Sequence, residues 1–207
     1  MRRIGIGLAL LLAGCGPNND PNQSRAFAPD GPYKHEASGF VFPIALPPFR
    51  LTTITEYGAK ATAVGATYVK RAGADGVFTF VNVYPAPAWQ TGTPQQVEEN
   101  QDHLCKGAWD SLLSGTVRSH PNSKTIEQGQ IASPSATFTK FGHRAVFVYT
   151  GTFAGMQQPM HSEIDLFCNV NGRWMIGYFT TAPATSLYRP DLAMLMRNLQ
   201  WPEAMPR

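Results

Sequence analysis

The stretch HSEIDLFCNVNGRWMIGYFTT, residues 161–181, constrains the fold more than any other part of the chain. Two runs rich in β-branched and aromatic residues flank Asn171-Gly172, the pair that a type I′ hairpin turn prefers. With Val170 facing Arg173 across the turn, one face of the hairpin carries the pairs Cys168–Met175, Leu166–Gly177 and Ile164–Phe179. The other face carries Phe167, Trp174, Ile176 and Tyr178. Because both faces hold large apolar side chains, we expect each of them to be covered.

Further segments have the composition of β-strands and are separated by Gly, Ser and Pro. They are residues 39–43, 49–57, 61–70, 76–85, 124–132, 136–141 and 143–153. The segment GVFTFVNVYP, residues 76–85, carries aromatic residues and valines on both of its alternating faces. This pattern predicts a central strand of the sheet.

A long helix is predicted after these first strands. Thr93 is suited to cap its N-terminus, Gln96 completes a capping box, and Gly115 is suited to end it. Its apolar residues fall on one stripe, formed by Val97, Leu104, Cys105, Ala108 and Leu112. We expect this stripe to cover the face of the hairpin that carries Cys168.

A second helix is predicted between Pro190 and Pro202. Its apolar stripe is formed by Leu192, Leu195, Met196 and Leu199, which follow the spacing i, i+3, i+4, i+7. We expect this helix to cover the aromatic face around Trp174 and Tyr178.

The order of elements predicts an α+β fold: an antiparallel sheet of about six to eight strands with a helix packed on each face. This order, together with the size of residues 39–207, resembles the PsbP-like α/β/α sandwich. That fold is shared by extrinsic photosynthetic proteins and by assorted bacterial lipoproteins. A fold alone does not assign a function.

Residues 1–14 have the layout of a secretory signal peptide, with Arg2 and Arg3 before an apolar run. The run is too short to favour a membrane-spanning helix. The segment Leu12-Ala13-Gly14-Cys15 resembles the lipobox of bacterial lipoproteins, in which the cysteine thiol takes a diacylglyceryl group and the chain is cut just before it. The resemblance implies attachment to a membrane through acyl chains on Cys15. Because Gly16 and not aspartate follows, it also implies an outer-membrane location facing the periplasm in a Gram-negative cell. The alternative is an ordinary secreted protein with a chance cysteine.

A disulfide between Cys105 and Cys168 follows if Cys15 carries lipid, because these are then the two cysteines left in an oxidising compartment. The expected packing agrees, since Cys105 lies on the helix stripe that should cover the Cys168 face. Two buried free thiols remain the alternative.

The chain divides into three parts by composition. Residues 1–14 are the signal peptide, residues 15–38 are predicted to be a lipidated cysteine with a flexible tether rich in Pro, Gly, Asn and Asp, and residues 39–207 are predicted to be one domain. Without the signal peptide, 15 basic residues stand against 14 acidic ones. This near-neutral charge argues against a nucleic-acid partner.

The sequence carries no motif of a known catalytic or metal site. It lacks a nucleophile elbow, a P-loop, a zinc-protease helix and a C-x-x-C pair. Its five histidines are scattered, and Glu98-Glu99 are adjacent helix residues that point about 100° apart. We therefore predict no catalytic residue, no metal ligand and no cofactor.

Two loops contain side chains that are common in interfaces. Trp89 lies among prolines before the long helix, and Met156 lies in the segment AGMQQPMH. These residues are candidates for an interaction surface, although Trp89 is also suited to cap the edge of the sheet.

The function predicted from these features is that of a lipid-anchored envelope lipoprotein, acting as a non-enzymatic module that contacts an envelope protein. A binder of a small apolar ligand or lipid, held between sheet and helix, is the alternative. An enzyme without a recognisable motif is the third reading.

Overall fold

The computed structural model describes residues 24–70, 76–87, 91–153 and 155–201. Two helices are present in these ranges, α1 (Pro94–Ser119) and α2 (Arg189–Asn198). The strands are β1 (Arg25–Phe27), β2 (Tyr33–Lys34), β3 (Val41–Phe42), β4 (Ala45–Leu46), β5 (Phe49–Tyr57), β6 (Ala63–Lys70), β7 (Val77–Pro85), β8 (Lys124–Ile131), β9 (Gly142–Phe153), β10 (Met156–Val170) and β11 (Trp174–Pro183).

Nine of the described strands form one antiparallel sheet in the order β1-β5-β6-β7-β11-β10-β9-β8, with β4 paired to β5. Strands β2 and β3 form a separate pair. The α+β class and the antiparallel sheet are as predicted. The sheet exceeds the expected strand number because the short strands β1 and β4 add to the edge at β5.

The hairpin predicted from Asn171-Gly172 is β10–β11, at the centre of the sheet. Asn171 and Gly172 both have positive φ, 52° and 69°, as a type I′ turn requires. The predicted pairs Leu166–Gly177 and Ile164–Phe179 are both present. Val170 and Arg173 face each other across the turn as predicted, since the Arg173 N–H donates to the Val170 carbonyl at 3.2 Å. The predicted pair Cys168–Met175 is wrong, because after an irregularity that follows Phe167 the ladder resumes with Val170 opposite Trp174. Asn169, at φ 55°, lies within this irregularity and absorbs the extra residue.

Helix α1 begins as predicted and ends later than predicted. Thr93 caps it, and the reciprocal hydrogen bonds with Gln96 complete the capping box. The helix continues through Gly115 to Ser119. It ends where His120 precedes Pro121, because a residue before proline disfavours the helical conformation.

The two faces of the sheet are covered by different helices, as predicted. Helix α2 buries Leu192, Leu195 and Met196 in a large cluster that includes Phe167, Ile176 and Tyr178. Helix α1 lies on the opposite face, over a smaller cluster. The buried residues of this cluster are Trp109 from α1 and, from the strands, Ala145, Phe147, Ile164, Leu166, Cys168 and Met175.

Two segments differ in local structure from the expectation. Residues 24–38, expected to be part of the tether, include β1 and β2, which pair with β5 and β3. Phe27 and Tyr33 pack edge to face, with ring centroids 5.9 Å apart, and they anchor this segment to the core. The part of the predicted tether before residue 24 lies outside the described residues.

Residues 136–141, expected to be a strand, form a loop that contributes Phe138 to the core. The ring of Phe138 stacks on that of Trp201 with centroids 6.0 Å apart, and the Ser135 hydroxyl accepts from the Thr137 N–H at 3.2 Å, so the loop is held without ladder hydrogen bonds.

Candidate functional site

The predicted disulfide is present and joins α1 to β10. Cys105 and Cys168 are bonded, with their Cα atoms 5.8 Å apart. Cys168 is buried, and Cys105 is half-buried near the middle of α1. The bridge therefore holds the middle of α1 against the sheet.

Trp109 is the residue of α1 that the sequence analysis missed. Among the described residues of α1 it alone is buried, and its ring stacks on that of His143 at 5.3 Å. Its position four residues after Cys105 was the available signal, because residues at this spacing lie on one face of a helix. The disulfide and Trp109 are the centre of the contact between α1 and the sheet, and the partly buried Ala108, Leu112 and Leu113 extend it.

Two acidic side chains lie buried on the face covered by α2. Glu163 and Asp165 project from β10, and both are almost fully buried. Arg144, on the neighbouring strand β9, donates from Nε and Nη2 to the two carboxylate oxygens of Asp165, at 2.7 and 3.1 Å. Its Nη2 also lies 2.9 Å from Oε1 of Glu163. The guanidinium of Arg144 is therefore shared between the carboxylates of Asp165 and Glu163.

The start of α2 completes this network from the other side. The Tyr188 hydroxyl donates to Oε2 of Glu163 at 2.6 Å, and Nε of Arg189 donates to the same oxygen at 3.2 Å. Nη2 of Arg189 reaches Glu127 on β8 at 2.6 Å. The network therefore fixes the first turn of α2 to the sheet.

Burial raises the pKa of two groups in this network, Asp165 and Tyr188. It raises the pKa of Asp165 to about 6, although the bidentate contact with Arg144 acts in the opposite direction. It also raises the pKa of Tyr188, and the neighbouring carboxylate of Glu163 adds to the effect. Oε1 of Glu163 is buried and accepts no well-aligned hydrogen bond. This oxygen therefore interacts with the positive charge of Arg144 without a well-aligned hydrogen bond.

No motif in the sequence marks this network. Glu163 and Asp165 occur at alternate positions on the strand face that was expected to be buried, and this was the available signal. Two carboxylates on a buried face need cationic partners, but their identity is not legible in the sequence because the partners come from distant parts of the chain.

A cleft of about 460 Å³ lies beside the network. One wall is α2, with Ala193, Met196 and Arg197, and the other is the loop at residues 131–134. Arg144, Glu163 and Arg189 also line it, so that the charged network borders the space.

The remaining predicted site residues are distributed as follows. Met156 begins β10 at the tip of the β9–β10 hairpin and is 54% exposed. Trp89 and Cys15 lie outside the described residues.

The described histidines other than His103 are engaged in packing or hydrogen bonds. Nε2 of His35 donates to the carbonyl of Ala61 at 2.8 Å, and its Nδ1 lies 2.7 Å from the Ser38 hydroxyl. The rings of His120, His143 and His161 each pack against an aromatic ring. Burial lowers the pKa of all four. These side chains favour the neutral ring near neutral pH.

Within the described ranges, no cluster of three or more His, Cys, Asp or Glu side chains is arranged to hold a metal ion. In the same ranges, neither helix combines the length and the apolar character needed to cross a bilayer.

Comparison with known proteins gives no match to a family model, a curated protein or a solved structure. The resemblance to the PsbP-like sandwich therefore stays a prediction.

Proposed function

We propose that this chain is a lipid-anchored lipoprotein of the cell envelope, acting as a non-enzymatic interaction or accessory module on the periplasmic side of an outer membrane. The lipobox-like segment Leu12-Ala13-Gly14-Cys15 supplies the anchor. The partner is an envelope protein, and the folded domain supplies the contact surface.

The observation that carries the proposal is the Cys105–Cys168 disulfide. Disulfides form and persist in oxidising compartments, of which the bacterial periplasm is one. The chain has three cysteines, so this pairing leaves Cys15 as the one cysteine outside the bridge. This arrangement supports the assignment of Cys15 to lipid attachment.

Met156 supports an interaction role for the β9–β10 hairpin. It is a flexible apolar side chain that is more than half exposed at the hairpin tip. Methionine is enriched at protein interfaces, because it adapts its shape to a partner. We place the contact with the envelope partner at this tip.

Lipid attachment is tested by blocking the lipoprotein signal peptidase with globomycin in cells that express the chain. We expect the uncut precursor to accumulate, and a Cys15→Ser variant to give no lipid-labelled product. Processing that continues unchanged in the presence of globomycin would contradict the anchor.

The contact surface is tested by placing a photo-crosslinking amino acid at Met156 in intact cells. Leu187 is the matched control, since it is a large apolar side chain that is 88% exposed elsewhere on the surface. We expect one specific protein adduct from position 156, absent from position 187 and lost when Cys15 is replaced by Ser. Equal adducts from both positions, or none from either, would count against the hairpin as the contact.

The alternative of a small apolar ligand or lipid is less well supported. The 460 Å³ cleft lies between α2 and the 131–134 loop, and charged side chains line part of it. Desolvating guanidinium and carboxylate groups against an apolar ligand is costly. This lining suits a polar ligand better than a lipid chain.

A further inference from the structure

We infer that the cleft between α2 and the loop at residues 131–134 is a binding site for a small organic carboxylate, with the Arg197 guanidinium as its anchor. This site is separate from the proposed contact at the hairpin tip. The ligand that fits this site is a free small molecule with one carboxylate and a compact apolar body.

The size of the cleft agrees with such a ligand. Its volume of about 460 Å³ lies in the range of roughly 300–1,000 Å³ that is usual for small-molecule sites. Its walls combine apolar side chains, Ile131, Pro134 and Met196, with charged groups at one side. This mixture fits an organic anion better than an inorganic one.

The solvent-exposed charged side chains that line the cleft are Arg189 and Arg197, whereas the lining carboxylate of Glu163 is covered. The side chain of Glu163 is 0% exposed, and that of its partner Arg189 is 46% exposed. Both oxygens of Glu163 lie within ion-pair distance of guanidinium groups, 2.9 Å from Arg144 and 3.2 Å from Arg189. The carboxylate is therefore covered and neutralised, and it does not repel an incoming anion strongly.

Arg197 is the cation that is available for a ligand. It is exposed and lines the cleft, whereas Arg144 and Arg189 each pair with a buried carboxylate, Asp165 and Glu163 respectively. Within residues 24–201 as the structure describes them, the side chain of Arg197 forms no hydrogen bond or ion pair. A guanidinium binds a carboxylate through two parallel hydrogen bonds, which gives both affinity and orientation.

The wall of the cleft that α2 forms is held in place before a ligand arrives. Tyr188 and Arg189 fix the start of α2 to Glu163, and Leu195 and Met196 pack beneath the helix. A site with ordered walls loses little conformational freedom on binding. On this wall, the side chain of Arg197 is therefore the group that must become ordered when a ligand binds.

The test is a titration of the full chain, kept in a mild detergent, with benzoate as the probe and amide NMR signals as the readout. We expect saturable shifts confined to residues 131–134 and α2. Benzyl alcohol has nearly the same shape without the charge, and inorganic phosphate has charge without the apolar body. We expect each to bind at least about tenfold more weakly than benzoate, because charge-assisted hydrogen bonds and apolar contact both contribute.

Three variants locate the site. Arg197→Ala should weaken benzoate binding about tenfold or more, and Ala193→Trp should block the cleft from an exposed helix position. Arg118→Ala, an exposed arginine of α1 on the other face of the sheet, is the control and should leave binding unchanged.

Several outcomes would overturn the inference. They are the absence of saturable shifts, shifts spread over the surface, phosphate or benzyl alcohol binding as tightly as benzoate, or equal losses in the Arg197 and Arg118 variants. Folding is checked separately from the dispersion of the amide signals, which both exposed arginine substitutions should preserve.

Discussion

The two helices cover opposite faces of one sheet and are attached to it by different means. Helix α1 has 26 residues, and Trp109 is the buried one among those described. Helix α2 has 10 residues and buries Leu192, Leu195 and Met196. The shorter helix therefore contributes more fully buried apolar side chains to the core than the longer one.

This difference shows that the length of a helix does not determine how firmly it docks. Most of the stability of a helix in a protein comes from burying its apolar face. Helix α2 meets this condition, and the ion pairs Arg189–Glu163 and Lys70–Asp191 add to its attachment. Helix α1 buries little of its apolar face, and the Cys105–Cys168 bond attaches it to the sheet. The two faces should therefore respond differently to the same perturbation.

The largest effect is expected from removing the disulfide. Replacing both Cys105 and Cys168 with Ala should lower the free energy of unfolding by about 4 kcal/mol, because the bond joins residues separated by 63 positions in the chain. Urea denaturation measures this change. Hydrogen exchange should show that amides of α1 lose protection before those of α2. Equal loss of protection in both helices would break the comparison.

A somewhat smaller effect is expected from the buried stripe of α2. Leu195→Ala should lower the free energy of unfolding by about 3 kcal/mol, because it leaves a cavity in the larger cluster. Met194→Ala, at a neighbouring exposed position of the same helix, should change it by less than about 1 kcal/mol. Similar losses in the two variants would show that packing is not what holds α2.

The ion pairs of the two helices give a third comparison. Arg189→Ala should cost about 1 kcal/mol, because it removes one partner of the buried Glu163 while Tyr188 and Arg144 remain. Lys106→Ala, which breaks the exposed pair with Asp110 on α1, should have almost no effect. Thermal unfolding of the two variants measures this, and a larger cost for Lys106→Ala would contradict the ranking.

The smallest effect is a pH dependence that comes from His35, on the α2 face of the sheet. Burial lowers its pKa in the folded chain, so the unfolded chain binds the proton more readily. The stability that the neutral ring contributes is therefore present above the unfolded pKa of about 6.5 and is lost as the pH falls below it.

The contribution of His35 is isolated by comparison with a His35→Gln variant in urea unfolding at several pH values. Asp165 has its pKa raised to about 6, and its effect on stability has the opposite sign over part of the same range. Because Asp165 is present in both chains, the difference between the two curves reports His35. Parallel curves would show that the imidazole is not held neutral by the fold.

Much of the fold could be predicted from local pattern. The Asn171-Gly172 turn, the Thr93 cap and the apolar stripe of α2 each depend on residues that are close in the sequence. The alternation of side chains on β10 then placed Cys168 and Phe167 on opposite faces, which predicted both helix positions and agreed with the disulfide inferred from the cysteine count.

What escaped prediction depends on distant partners. Residues 24–38 look flexible by composition, yet Phe27 and Tyr33 are anchored by contacts with the core and by pairing with later strands. The network around Glu163 joins β9, β10 and α2, and Arg189 reaches Glu127 across 62 positions. Such contacts exist only after the fold has formed, so the cleft they border could not be located from the sequence.

The position of the disulfide also has a consequence for the order of events during export. Cys105 emerges before Cys168, and β8, β9 and most of β10 lie between them. While these strands are still being translocated, the thiol that has already crossed with Cys105 is that of Cys15. Under the proposed acylation, the sulfur of Cys15 is already blocked by its lipid. In the proposed export pathway, lipid transfer to Cys15 before Cys168 crosses would protect oxidative folding, because it would remove the wrong pairing partner of Cys105.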